Sequence, residues 1–300
     1  MRKLLLVYNP VAGAGLFRES LDDCVRVLQH YGFFVSVYRT QRAGDIENFF
    51  SCEEAKFYDV VAVAGGDGTI NRVVSAMVGN GIDMPLGIIC AGTSNDLAKH
   101  LGLATNFTEA CEAIATGTTR RMDLGTINNK NYFVNVCAAG MFSNVSHKTQ
   151  QDLKNSLGRL AYYIKGLEQI QNLSTLKVRI ETSDETIEDE LLLFYILNSA
   201  RLAGMGGICP PAKIDDGLFN FIGLRNVPIK EIPGLLIKVL ARDYLDDKRI
   251  LFRKDSYFRV DLVEQPKDME MLITDVDGEP GPSMPIVVRN MPEALRIISR

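Results

Sequence analysis

The sequence predicts an α/β domain built on a parallel sheet, followed by an all-β domain of antiparallel, sandwich-like character. Two textures of the chain predict this, and a third observation says where to look for function. Through the first 120 residues, short β-branched runs alternate with helical periodicity, the pattern of parallel strands joined by crossover helices. After Arg120-Arg121, strand follows strand with hairpin turns between them. Glycines gather where strands of the first half end, the edge at which parallel sheets bind ligands. The 300 residues suffice for two domains, and the change of texture sets the boundary near residue 122.

In order, residues 4–8 form a strand, 16–31 a helix, 33–38 a strand, 45–56 a helix, 60–64 a strand, 69–78 a helix and 86–90 a strand, with a short helix over 97–101. Residues 122–128 and 132–138 read as strands around a turn at Asn129-Lys130, and a helical stretch follows from about 147 to 172. Strands at 176–181 and 187–197 flank Asp184-Glu185, with further short strands at 218–223, 257–263, 269–274 and 286–289. No internal repeat is visible.

Composition narrows the function classes. With 46% hydrophobic and 23% charged residues the chain is globular rather than disordered. Its longest apolar runs, 4–8 and 191–197, fall far short of the roughly 20 residues that cross a bilayer. The basic, then apolar, start is too short for a secretion signal and lacks a small-residue cleavage site, so it reads as the first strand. Six cysteines are scattered singly, as reduced thiols in a cytoplasmic protein are. His30, His100 and His147 are isolated, which excludes the usual zinc spacings and argues against histidine-based nucleophilic catalysis. A net charge of −4 argues against nucleic acid as a partner.

The strongest motif is Ala64-Gly65-Gly66-Asp67-Gly68-Thr69, after an apolar strand and before a helix. Its glycines allow a tight turn whose N–H groups approach an anion, at the positive end of a helix. The same spacing also suits an ordinary strand-to-helix turn. Asp67 tilts the balance, because a carboxylate beside a phosphate cradle is repulsive unless a cation such as Mg²⁺ or a hydrogen-bonded network intervenes. Ala91-Gly92-Thr93-Ser94-Asn95-Asp96 is a second loop of this kind, although Ser94, Asn95 or Asp96 equally suit an N-cap. Asn9-Pro10-Val11-Ala12-Gly13-Ala14-Gly15 is a third, and Arg18 stands where a dinucleotide fingerprint needs its last glycine. Three such loops leaving one parallel sheet would share one nucleotide. The P-loop, HRD and DFG signatures are absent. In the second half, acids cluster at 210–218 and at Asp275-Val276-Asp277-Gly278-Glu279, where Asp-Gly is also a common hairpin turn. Gly278 arrives too early for a calcium-binding EF-hand loop.

Asn9-Pro10-x-x-Gly13, Gly65-Gly66-Asp67-Gly68-Thr69, Gly92-Thr93-x-Asn95-Asp96, Pro211-x-x-x-x-Asp215-Asp216-Gly217-x-Phe219 and Asp277-Gly278-Glu279 occur in the order seen in the diacylglycerol kinase catalytic family. The chain resembles the bacterial soluble lipid kinases of that family over nearly its whole length. The resemblance implies an NAD-kinase-like α/β nucleotide-binding domain, residues 1–122 with 285–300 returning to it, and a β-sandwich domain, 123–284, with the active site in the cleft between them. It implies ATP on Asn9, Pro10, Gly13, Thr40, Gly65, Gly66, Asp67, Gly68, Thr69, Asn71 and Thr93. It places Mg²⁺ at the carbonyl of Lys213, the carboxylate of Asp216 and the carbonyl of Leu218, with Asp96 in the acid and water network. Glu279 matches the general base, and Asp67 is the second residue expected in catalysis. Some relatives carry a lysine where this chain has Ala14, so Arg18 is expected to supply that charge.

The implied reaction is ATP- and Mg²⁺-dependent phosphorylation of a lipid hydroxyl in phospholipid biosynthesis, with diacylglycerol first and giving phosphatidic acid. Phosphatidylglycerol, a sphingoid lipid and a soluble alcohol such as NAD stay open as acceptors. A non-catalytic nucleotide or lipid sensor is disfavoured by the presence of Asp67, Asp216 and Glu279. A lipid kinase without a membrane span must meet its substrate at the inner membrane surface. Residues 225–259 hold nine basic and five acidic side chains beside an apolar run, which suits peripheral contact with anionic headgroups and equally suits a solvated helix and hairpin. Oligomeric state stays open, a homodimer included.

Overall fold

The apolar runs of the first half become the centre of a parallel sheet. In the computed structural model, which describes residues 1–140, 175–202, 204–264 and 272–299, β1 (Arg2–Tyr8) lies between β2 (Phe33–Arg39) and β3 (Val60–Gly65), and β4 (Leu86–Cys90) follows β3, all parallel. Leu4 to Tyr8 and every residue of β3 and β4 are buried, because helices cover both faces of the sheet. On one face Cys24 and Leu28 of α2 (Leu21–His30) and Cys111 and Ile114 of α6 (Phe107–Thr116) pack on Leu4, Leu6, Ala62 and Ile89. Helix α4 (Asp67–Gly79) packs on β3 and against α3 (Asp45–Phe50). Strand β17 (Ile286–Ser299) ends beside β4, where Ile297 pairs with Leu86. The chain divides into two compact units, residues 1–124 with 291–300 and residues 125–290.

Helices in the first unit differ from expectation in three places. The expected helix at 16–31 is two, α1 (Leu16–Glu19) and α2, parted at Ser20, whose N–H bonds back to the Phe17 carbonyl; serine favours such helix boundaries over helix interiors. The helix expected over 45–56 stops at Phe50, and Cys52 is extended before a short 3₁₀ turn at Glu53–Phe57. Helix α6 has no counterpart in the sequence reading, although Asn106 is its N-cap and accepts from the Thr108 and Glu109 amides at 2.9 and 3.2 Å.

The second unit is antiparallel. Strand β9 (Thr186–Leu197) organises it: its first half pairs with β8 (Leu176–Glu181), and its second half pairs with both β7 (Val136–Gly140) and β12 (Phe219–Arg225). Strand β8 pairs with β14 (Tyr257–Leu262), and β14 with the start of β17. The packed interior is aromatic: Phe194 stacks on Phe221 with ring centroids 5.3 Å apart, and Phe258 and Phe133 extend the cluster. Such rings exclude water and hold the layers in one arrangement.

Register explains the corrections here. The turn after β5 (Thr118–Ile127) is centred on Asn128 and Asn129, both left-handed, one residue earlier than expected; asparagine tolerates that conformation better than lysine. The expected strand at 132–138 breaks at Val134-Asn135 into β6 (Asn131–Phe133) and β7, because Asp277 captures the amides there. Of the strand expected at 269–274, Ile273 and Thr274 lie in β15 (Ile273–Val276), and Leu272 lies outside it. Strands β13 (Ile250–Asp255) and β16 (Glu279–Ser283) have no counterpart in the sequence reading. The helical stretch expected at 147–172 lies outside the described residues.

Candidate active site

The carboxyl ends of the first unit's strands are level. Tyr8 pairs with Arg39 on one side and Ala64 on the other, and Gly65 pairs with Cys90. The connection after β1 runs towards β2 and that after β3 towards β4, so a crevice opens between them at this edge.

The three glycine loops, in chain order the first at 9–15, the second at 65–69 and the third at 91–96, meet in the crevice, backbone against backbone. Gly13 is left-handed, with φ +53°, and a Cβ there would lie 2.0 Å from the carbonyl oxygen of Ala91. A Cβ on Gly92 would lie 2.4 Å from the Cα of Gly66. Only glycine allows both approaches. Hydrogen bonds lock the arrangement: the Ala91 amide donates to the Gly65 carbonyl and the Asn9 amide to the Ala64 carbonyl, each at 3.0 Å. Asn9 Nδ2 also donates to Thr69 Oγ1 at 3.1 Å, tying the first loop to the second. Thr40 joins from the end of β2, its amide and hydroxyl both donating to the Tyr8 carbonyl.

A cavity of about 300 Å³ opens at this edge, lined by Asn9, Pro10, Val11, Thr69 and Arg72 and by Arg39, Thr40, Gln41, Arg42, Ala43, Gly44 and Ile46. The structure therefore gathers Asn9, Pro10, Thr40 and Thr69 at one cavity, with Gly13, Gly65 and Gly66 in the loops beneath. Gly68 and Asn71 lie on α4, and Asn71 accepts from the Ser75 hydroxyl. Thr93 is exposed in the third loop. Arg18 is exposed on α1 and is not among the cavity's lining residues. Arg39, Gln41, Arg42, Gly44 and Arg72 were not singled out from the sequence, although the segment Thr40-Gln41-Arg42-Ala43-Gly44 is a fourth glycine-bearing loop between a strand and a helix.

Asp67 has a structural task besides any chemical one. Its Oδ1 accepts from the Asp96 amide at 2.7 Å, with the Asn95 and Leu97 amides as further donors. Asp67 thus caps α5 (Asp96–His100), the task the sequence offered to Ser94, Asn95 or Asp96. Asn95, with φ 50°, instead closes its own loop, exchanging two hydrogen bonds with the Gly92 backbone. Burial raises the Asp67 carboxyl above the usual range and the charge of buried Asp96 adds to this, while the amides oppose both.

In the second unit, Lys213, Asp216 and Leu218 share the loop that leads into β12. Asp216 Oδ1 accepts from the Leu218 amide at 3.1 Å around left-handed Gly217, and Oδ2 holds Lys254 Nζ at 2.8 Å. Two carbonyls and a carboxylate are hard oxygen donors that suit Mg²⁺, which would compete with Lys254 for Oδ2. Glu279 stands on a different element, at the start of β16. Asp277 and Gly278, both left-handed, form the β15–β16 turn, and Asp277 accepts from the Val134, Asn135 and Val136 amides at 2.7, 2.9 and 2.8 Å. Gly278 donates to Asp275 Oδ1 at 2.9 Å. The Asp-Gly turn is thus anchored, and it presents Glu279 exposed to solvent.

Residues 3–127 match the diacylglycerol kinase catalytic domain, and residues 135–299 match the YegS C-terminal NAD kinase beta sandwich-like domain. A diacylglycerol kinase of Staphylococcus saprophyticus is 32% identical over 298 residues, covering 99% of this chain and 95% of its own. One of Staphylococcus aureus is 30% identical over 290 residues, covering 97% and 90%. A solved structure from Bacillus anthracis str. Sterne superposes with a TM-score of 0.83 at 26% identity, covering 100% of this chain and 95% of that one.

Proposed function

The chain belongs to the diacylglycerol kinase family of lipid kinases, and from that premise we propose that it transfers the γ-phosphate of ATP to the free hydroxyl of diacylglycerol, giving phosphatidic acid, with Mg²⁺. The observation that carries the reading is the meeting of three glycine loops beside a cavity at the carboxyl edge of a parallel sheet. Backbone amides and a helix start suit polyphosphate, because they bring partial positive charge without a side chain to clash.

Each residue then has one part. Asn9, Thr40 and Thr69 orient the nucleotide at the cavity wall, Gly13, Gly65 and Gly66 let the chain approach its phosphates, and Gly68 in the first turn of α4 and exposed Thr93 complete the phosphate contacts. Asp67 holds the start of α5 against the second loop, and its elevated carboxyl pKa marks an acidic pair with Asp96. Glu279 accepts the proton that the lipid hydroxyl loses as it attacks phosphorus; its exposure leaves its oxygens free to reach an alcohol. Lys213, Asp216 and Leu218 would hold Mg²⁺, which would supply positive charge to offset the Asp216 carboxylate. The rest is positioning and charge, as phosphoryl transfer requires.

Among the described residues no helix is long and apolar enough to cross a membrane. We assign surface contact to helix α7 (Ile232–Ala241), which buries Ile232 and Leu235 and presents Ile237 68% exposed. Its basic surroundings are weaker than the count suggests, since Lys238 and Arg249 pair with Asp247, Arg253 with Glu185 and Lys254 with Asp216. Ile237→Glu should release the enzyme from anionic vesicles in co-sedimentation; unchanged binding would remove α7 from the account.

The test of function is labelled γ-phosphate transfer in mixed micelles to diacylglycerol, phosphatidylglycerol, ceramide, sphingosine and NAD. Phosphatidic acid as the dominant product supports the reading. Transfer only to NAD, or to none despite ATP binding, overturns it.

A further inference from the structure

Three arginines line the cavity, and none of them belongs to the three glycine motifs that the sequence singles out. Arg39 and Arg42 come from the end of β2 and the loop after it, and Arg72 from α4, one turn beyond Thr69. Residues three apart on a helix share a face, so Arg72 stands beside the hydroxyl that the first loop bonds. Two of the three guanidiniums are held loosely by acids of α3: Arg42 Nε is 3.4 Å from Asp45, and Arg72 Nε is 3.2 Å from Glu47. The Arg72–Glu47 pair is 45% and 46% exposed, so solvent screens it and it is easily exchanged. Asp45 is differently placed, because the Gln41 and Arg42 amides hold its carboxylate at 2.8 and 3.0 Å and keep its pKa below the usual range.

The first loop supplies no cation. Ala14 follows Gly13, and Arg18 is exposed on α1 away from the lining of the cavity. A polyphosphate at this edge still needs positive side chains, and guanidinium, always charged and with donors in a planar fork, fits phosphate oxygens bidentately. We propose that Arg72, assisted by Arg42, is the phosphate-binding cation of this site, and that Glu47 competes with the nucleotide for it. When the polyphosphate enters, Arg72 exchanges the Glu47 carboxylate for phosphate oxygens. Donor affinity is thereby set in part by an acid that touches no ligand.

This inference rests on the proposed nucleotide role of the cavity, and the experiment separates the two. Equilibrium binding of ATP, ADP and adenosine would be measured for the wild type, Arg72→Gln, Arg42→Gln and Glu47→Gln, with Arg26→Gln on α2 as the remote control. Arg72→Gln should weaken ATP and ADP by about tenfold or more and leave adenosine within about twofold, as loss of a charge-assisted phosphate contact demands. Arg42→Gln should do the same to a smaller degree. Glu47→Gln should tighten ATP by about threefold, since the competitor is gone. Weakening in Glu47→Gln would show that the pair only braces α3 against α4, and would overturn the competition. Equal losses for adenosine and ATP in Arg72→Gln, or no loss, would overturn the phosphate contact. A wild type that binds none of the three nucleotides would instead overturn the proposed function.

Discussion

Each unit turns one motif acid inward onto backbone amides, and only the second leaves a neighbouring motif acid exposed. In the first, Asp67 is drawn inward: its carboxylate caps α5, lies beside buried Asp96 and is pushed towards protonation. In the second, Asp277 turns inward to three amides, and its neighbour Glu279 is left outside. One motif thus contains a brace and an exposed carboxylate side by side, and a shared sequence signature does not make its acids equivalent. The cavity of the first unit combines closely packed glycine backbone with the side chains of Asn9, Thr40, Thr69 and three arginines, while the acids of the second unit stand on turns.

Four substitutions sharpen or break that contrast. Glu279→Gln should have the largest effect, lowering kcat by about 10²- to 10⁴-fold with ATP affinity unchanged, as loss of a general base does. Asp277→Ala leaves three amides without their acceptor and should destabilise the protein by about 1.5–3 kcal/mol, read in urea unfolding. An unchanged unfolding midpoint would mean that Asp277 is no brace. Gly92→Ala forces a Cβ against Gly66 and should cost about 1–3 kcal/mol through overpacking, with ATP binding weakened at the same time. The smallest effect on stability belongs to Asp67→Asn. A carboxyl whose folded pKa is raised contributes stability that is complete below its unfolded pKa of about 3.9 and is lost as pH rises through the folded value. Asparagine still accepts from the α5 amides and carries no charge, so at pH 7 the variant should melt at the same temperature as the wild type or higher, with the difference closing in acid. A lower melting temperature at pH 7 would show that the carboxylate charge stabilises the fold.

Much of this was legible in the residues. Strands β3 and β4 and the buried part of β1 from Leu4 on are apolar and short, and their glycine loops follow a strand-to-helix pattern that three repetitions make hard to mistake. The cavity was only partly legible. Thr40 came from the family resemblance, whereas Arg72 sits one helical turn past the motif and becomes a wall residue only because α4 packs on β3. The roles of Asp67 and Asp277 were hidden for the same reason: their partners lie 29 residues away and about 140 residues away in sequence, and hydrogen bonds of that span leave no local pattern. Helix α6 was overlooked although Asn106 and Glu109 mark its start.

The most direct test of the division of labour is to measure ATP dissociation constants and phosphoryl-transfer rates on the same preparations of Glu279→Gln and Gly92→Ala. The account predicts opposite splits: Glu279→Gln binds ATP like the wild type and transfers phosphate at least about a hundredfold more slowly, while Gly92→Ala loses ATP affinity first. Full transfer by Glu279→Gln, or normal ATP affinity in a folded Gly92→Ala, would contradict it.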